Sequence, residues 1–223
     1  MATFWVTNPF VDNSTTYQNI LLSENTPPIY YYVVKYFFNL FGYNPYILRV
    51  PNIFFFLISI YIFYLIIIKF SIDRKFILFS LLLFSLNHFL ISYSHEGRVF
   101  ILYLLTSLFL INSYLNLIDR NNNNLKFLLF FLFSFISINT FFFSFIIIGS
   151  IFLFKIFFMK KNKDFFVIKI ILILSILLSY FVNLDFFNKI STFKASSIQN
   201  PSLDFYLFNF FFKQYFGSKI MGF

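Results

Sequence analysis

Apolar blocks of similar length, separated by short breaks that carry the charge, constrain this chain more than any other feature. The blocks are Val50–Ile68, Phe76–Ser92, Val99–Leu117 and Val167–Val182, with a longer one at Leu125–Phe158. An α-helix rises about 1.5 Å per residue, so roughly 20 residues cross the ~30 Å hydrocarbon core of a bilayer. The four shorter blocks meet that length or nearly so. The longer block is interrupted at Ser137-Ile138-Asn139-Thr140 and reads as a hairpin of two helices, the first one short. Composition agrees. With 60% hydrophobic and 11% charged residues, there is too little polar surface to cover an apolar interior in water, and too much apolar surface for disorder. The expected fold is all-α: a polytopic transmembrane helical bundle of about six spanning or near-spanning helices, plus interfacial ones.

The breaks set the orientation. Lys69, Arg74 and Lys75 occupy the first, Arg120 and Lys126 flank Asn121–Asn124, and Lys160, Lys161 and Lys163 follow the hairpin. Alternation of sides puts all three on one face. The breaks on the other face, Tyr93–Arg98 and Ser137–Thr140, hold only Arg98. The positive-inside rule then assigns the three basic breaks to the cytoplasm. The net charge of +9 is accordingly read as loop charge at a membrane face, not as a nucleic-acid footprint. Lys155 and Lys169 lie near helix ends, where long side chains snorkel. There is no cysteine, which excludes a disulfide framework, a zinc knuckle and a thiol nucleophile. The 42 phenylalanines accompany many Ile, Asn, Lys and Tyr residues, a bias that A/T-rich codons produce, so the Phe runs are not read as aromatic cages.

Three regions follow: an outer-face segment 1–49, a transmembrane core 50–182, and an outer-face segment 183–223, expected to be truncated. Within the first, Ile29–Phe41 follows Thr26-Pro27-Pro28 and stops at Gly42, a good start and stop for a helix. Its length is about 20 Å, too short to cross, so it is expected to lie in the interface, where Tyr is favoured. Leu203–Tyr215 reads as a second interfacial helix. Residues 1–14 are polar and show no signal-peptide pattern. An outside N-terminus with no helix before it suggests that a first transmembrane helix is missing.

Ionisable residues near a membrane mark function by default, because burying them is costly. Most here are loop charges. The exceptions gather on the outer face: Glu24 before the interfacial helix, Arg49 at the start of the first span, and Glu96 and Arg98 in Tyr93-Ser94-His95-Glu96-Gly97-Arg98. Arginine binds phosphate through paired, charge-assisted hydrogen bonds, and a carboxylate can accept a proton from an attacking hydroxyl. Such a set suits an anionic lipid headgroup. The plainer reading is that Glu96 and Arg98 pair with each other or cap helices.

The same residues resemble a family. Thr26-Pro27-Pro28-Ile29-Tyr30-Tyr31, Phe41-Gly42 and Leu48-Arg49-Val50-Pro51 resemble the pattern H-P-P-L-Y-Y…F-G…L-R-x-P, and Tyr93-Ser94-His95-Glu96-Gly97-Arg98-Val99-Phe100 resembles Y-S-Q-E-A-R-x-Y. Both are similar to motifs of the GT-C-fold glycosyltransferases, of the dolichyl-phosphate-mannose–protein mannosyltransferase and aminoarabinose-transferase type. The likeness runs from about Ser23 to about Val182. It implies a GT-C-like bundle in a bacterial plasma membrane, its active face extracytoplasmic. It also implies transfer of a sugar, usually with inversion, from a polyprenyl-phosphate donor to a lipid or protein acceptor. On this resemblance Glu24 is the catalytic carboxylate candidate, for the acceptor or metal side. Arg98 would hold the donor phosphate, with Glu96 orienting it and Arg49, Tyr93 and His95 completing the substrate site. Arg49 would as readily pin the interfacial helix to the first span. No cofactor is certain; a divalent metal stays open.

The chain departs from the pattern. Thr26 stands for His, His95 for Gln, Gly97 for Ala and Phe100 for Tyr. The family's first helix and the acidic pair after it have no counterpart, and the chain stops where members continue, which reads as a fragment or truncated gene. A non-catalytic descendant is therefore one alternative. A transporter or flippase is another, ranked lower because the charges sit at one face and no internal repeat is apparent. His88 is expected to be buried and hydrogen-bonded to a neighbouring helix. Lys35 is expected to snorkel to headgroups, and Trp5 to be interfacial.

Overall fold

Helix boundaries in this chain are set by residues that compete with or release the backbone, and the computed structural model shows each at work. It describes residues 2–24, 26–70, 73–118, 124–158, 163–186 and 188. The chain divides into two units, 1–187 and 188–223. The second lies almost wholly outside the described residues, and the Leu203–Tyr215 helix lies outside them altogether.

The first unit opens with α1 (Ala2–Val6), α2 (Asn13–Ser23) and α3 (Ile29–Phe41). Asp12 caps α2, its carboxylate accepting from the Thr15 N–H, the usual relief for an orphan donor. Gly42 ends α3 at φ 93°, its N–H donating to the Phe38 carbonyl. The expected bounds of α3 hold, but its surroundings differ from expectation. Tyr30, Val34 and Phe38 form one buried stripe, spaced four apart as a single helix face requires. Lys35 does not snorkel. It is buried, and its Nζ donates to the Val11 carbonyl at 2.7 Å, Thr16 Oγ1 at 2.8 Å and Asn13 Oδ1 at 2.9 Å. The polar N-terminal segment thus folds onto α3 and supplies the oxygens that make a buried ammonium tolerable. At its start Phe4 stacks on Tyr43 with ring centroids 4.2 Å apart. Trp5 is exposed.

A 3₁₀ turn, Ile47–Arg49, leads into α4 (Val50–Phe70). The single helix expected over Phe76–Ser92 is broken. It forms α5 (Arg74–Ser85) and α6 (His88–Glu96), bent by 44°. Asn87 causes the break by capping α6 with its own side chain, which accepts from Leu90 N–H. His88 starts α6 and is exposed, not buried as expected. Next come α7 (Phe100–Ile118), α8 (Asn124–Thr140), α9 (Ser144–Phe158) and α10 (Lys163–Val182). The hairpin turn falls at 141–143, after the Ser137–Thr140 stretch. Those polar side chains bond back one turn, Thr140 Oγ1 to the Ile136 carbonyl and Asn139 Nδ2 to that of Phe135, so the helix runs through them.

Two helices are long and apolar enough to cross a membrane, Ile47–Phe70 and Phe100–Ile118, and the bent pair α5–α6 makes a third if it counts as one span. The apolar stretches Asn124–Thr140, Ser144–Phe154 and Phe166–Val182 are shorter. Helix α7 is the centre of the packing, between α4 and α8, and α10 lies against α8. Polarity is inverted relative to a water-soluble bundle. Ser59, Ser134, Ser137, Asn139, Ser175 and Ser179 are buried in the seams, while Leu57, Leu78, Leu82 and Phe166 face outward.

Helices α4 and α7 run in the same direction and α8 runs back. Asn52, early in α4, touches the Arg98 corner, whereas Lys69, near its end, bonds Asn112 and Asn116 late in α7. Phe141, just past α8, meets Phe100 and Tyr103 early in α7. One end of the set therefore carries Arg49, Glu96 and Arg98. The other carries Lys69, Arg74, Lys75 and Lys126.

Candidate functional site

At the Arg98 end the 3₁₀ turn and the start of α4 are tied to the α6–α7 corner through its backbone, not through charge. Gly97 caps α6 in the left-handed conformation, φ 65°. A Cβ there would come within 2.5 Å of Leu48 Cγ, so glycine is required both for the turn and for the approach of the 3₁₀ turn. Asn52 is fully buried, and its Nδ2 donates to the Arg98 carbonyl at 2.8 Å. Leu48 and Asn52 thus tie the 3₁₀ turn and α4 to this corner. The Arg49 side chain is exposed and has no partner among the described residues.

On this frame the charged groups are arranged as follows. Arg98 Nε pairs with Glu96 Oε2 at 3.4 Å, both side chains about half exposed (56% and 41%). A pair so open to solvent is worth at most about 1 kcal/mol, so Arg98 can exchange it for a stronger anion. Thr26 Oγ1 and the Tyr31 hydroxyl lie 2.8 Å apart. The Tyr31 hydroxyl titrates well above its usual range, chiefly because it is buried and next because of the Glu24 charge, with which it also hydrogen-bonds; the Arg98 charge opposes the shift. Tyr31 is therefore a protonated hydroxyl that feels the charges of Glu24 and Arg98, which belong to different segments. Tyr30 is raised more strongly still, again mainly by burial. Its hydroxyl and Asn52 Oδ1 are buried polar atoms with no hydrogen-bond partner of good geometry among the described residues.

The remaining sequence-predicted residues divide. Tyr93 is buried, its ring 4.3 Å from that of Phe89 and 4.7 Å from that of Phe100 between centroids. It is part of the packing that orients α6 on α7. His95 is exposed at the end of α6 and has no partner among the described residues. Among the described residues no three acidic or histidine side chains converge to hold a metal ion. The sequence reading passed over Asn52, although a lone amide three residues after Arg49 in an apolar block was a signal. Tyr30 and Tyr31 entered that reading only as part of a motif, and the burial of their hydroxyls is what the structure adds.

The chain matches no family model, no curated protein and no solved structure.

Proposed function

We propose that this chain is a multi-pass membrane protein whose Arg98 end binds a polyprenyl-phosphate-linked sugar and serves its transfer to a lipid or protein acceptor. The membrane part of this reading is supported by the inverted polarity: serines and asparagines lie in the helix seams, and leucines and phenylalanines face out, as helix packing in lipid favours. The six apolar helices would alternate across the bilayer, the shorter ones where it thins or between neighbours, with the Lys69 end cytoplasmic.

The single observation that carries the transferase part is that the charges of Glu24 and Arg98, from two separate segments, both act on the buried Tyr31 hydroxyl. These residues belong to two separate motifs that resemble those of GT-C glycosyltransferases, and Leu48 and Asn52 bring in the third. Arg98, with Arg49 exposed beside the same corner, would hold the donor phosphate once it displaces Glu96. The acceptor hydroxyl would attack the anomeric carbon. A new C–O bond forms there, the bond to the phosphate oxygen breaks, and the polyprenyl phosphate leaves with its electron pair. Glu24 would take the acceptor's proton. Tyr31, kept protonated by burial, would hold that carboxylate in place.

A second reading has one observation in its favour. Glu96 and Arg98 satisfy each other, as they would in a non-catalytic descendant. The Arg98→Ala variant separates the two. The transferase reading expects binding of a lipid-linked sugar by the purified full chain to fall about 10- to 100-fold, the worth of a charge-assisted phosphate contact, with Arg98→Lys restoring part of it. Undiminished binding in Arg98→Ala would remove the phosphate assignment.

A further inference from the structure

The Lys69 end holds a second feature that the transferase reading does not use. A groove of about 270 Å³ opens between α4, α7 and α8. Its walls are apolar, formed by Phe109 and Phe133, which stack with centroids 4.7 Å apart, together with Leu129. Its mouth is polar, formed by Asn112, Asn116 and Lys126. Lys69 reaches over that mouth, its Nζ donating to Asn116 Oδ1 at 2.6 Å and to Asn112 Oδ1 at 2.9 Å.

We infer that this groove is a binding site for an anionic phospholipid. The inference rests on the membrane part of the proposed function and is independent of the transferase part. Two ammonium groups meet at the mouth, and the described lining residues include no carboxylate. Lys126 has no hydrogen-bond or ion-pair partner among the described residues. Because both asparagines accept from Lys69 through Oδ1, their Nδ2 groups remain as donors pointing away from that bond. Cations and amide donors at one level, with an aromatic wall directly beneath, complement a phosphate that carries an acyl chain. A free phosphate would use the mouth and leave the wall empty. Basic pockets between helices on the cytoplasmic side suit anionic headgroups.

The test is native mass spectrometry of the purified full chain in detergent, offered phosphatidylglycerol or phosphatidylcholine. Phosphatidylglycerol should be retained in preference. Lys69→Gln and Lys126→Gln should each weaken that retention about fivefold, the worth of one lysine near an anionic surface. Lys75→Gln, the same charge change at the same end but outside the groove, should leave it unchanged, and so should Arg98→Ala. Equal retention of the two lipids overturns the inference, as does full retention in the Lys69→Gln/Lys126→Gln double variant, or an equal loss in Lys75→Gln. Complete displacement by inorganic phosphate overturns the lipid identity in favour of a simple phosphate site. The lysines are at the surface, and circular dichroism and elution volume matching the wild type establish that each variant is folded. Alkaline carbonate extraction of membranes reports separately on the membrane reading: release of the chain would sink that reading whatever the lipid preference.

Discussion

The two ends of the helix set carry charge in different ways. At the Arg98 end the backbone positions the charges. Gly97 abuts Leu48, Asn52 grips the Arg98 carbonyl, and Tyr31 hydrogen-bonds Glu24. At the Lys69 end the charges ride on long side chains around an open groove, and Lys69 donates to two side-chain amides there. Lys35 and Lys69 show the same contrast within one residue type. Lys35 is buried and saturated by three oxygens of the chain's own N-terminal segment, whereas Lys69 is exposed. A fixed constellation suits chemistry on a small reacting centre. An adaptable one suits adhesion to a headgroup.

The contrast can be broken most forcefully at Gly97. Gly97→Ala forces a left-handed alanine and a collision with Leu48, and should cost about 2–4 kcal/mol. Thermal unfolding in detergent would show it, and Leu48→Ala in the same chain should recover the steric part only. Next in size is Lys35→Met, which removes three hydrogen bonds. It should cost about 2 kcal/mol and expose 2–23 to limited proteolysis while α7 and α8 stay protected. Asn52→Ala should cost about 1–2 kcal/mol and loosen the α6–α7 corner, seen as faster amide exchange at residues 97–99. At the other end Lys69→Gln should change stability by less than about 1 kcal/mol; a larger loss would mean that the Lys69 end is also a structural clamp.

The smallest effect is one of pH. Hydrogen bonds from Ser14 and then Thr15 lower the Asp12 carboxyl from its ordinary 3.8 to about 2. The folded state therefore favours the charged form. The cap's contribution is complete above pH ~4 and is lost as pH falls through about 2. Amide exchange in α2 should rise over that window and not between pH 5 and 8.

Much of this architecture was legible in the hydropathy pattern, because block length and loop charge are direct physical demands of a bilayer. The helices at Val50–Phe70 and Phe100–Ile118 follow from it, and the bounds of Ile29–Phe41 from the Pro27-Pro28 and Gly42 that flank it. The break at Asn87 was not, since one amide scarcely alters the hydropathy of a block, yet its side chain suffices to cap a new helix. The shift of the hairpin turn from Ser137–Thr140 to 141–143 has the converse cause. Hydroxyls read as a loop signal can instead bond back and leave the helix intact. The candidate site was legible as residue types on one face. What held them was not, because Asn52, Leu48 and the Lys35 tether work through contacts between distant segments, and no local pattern encodes those.

The account stands on the two ends lying on opposite sides of a membrane. The chain has no cysteine, so single cysteines can be placed without background. His95→Cys and Asn124→Cys, both at exposed positions, would be treated in intact cells with a membrane-impermeant maleimide. The account predicts that His95→Cys is labelled at once and Asn124→Cys only after permeabilisation. Equal labelling of both in intact cells, or the reverse pattern, would contradict it.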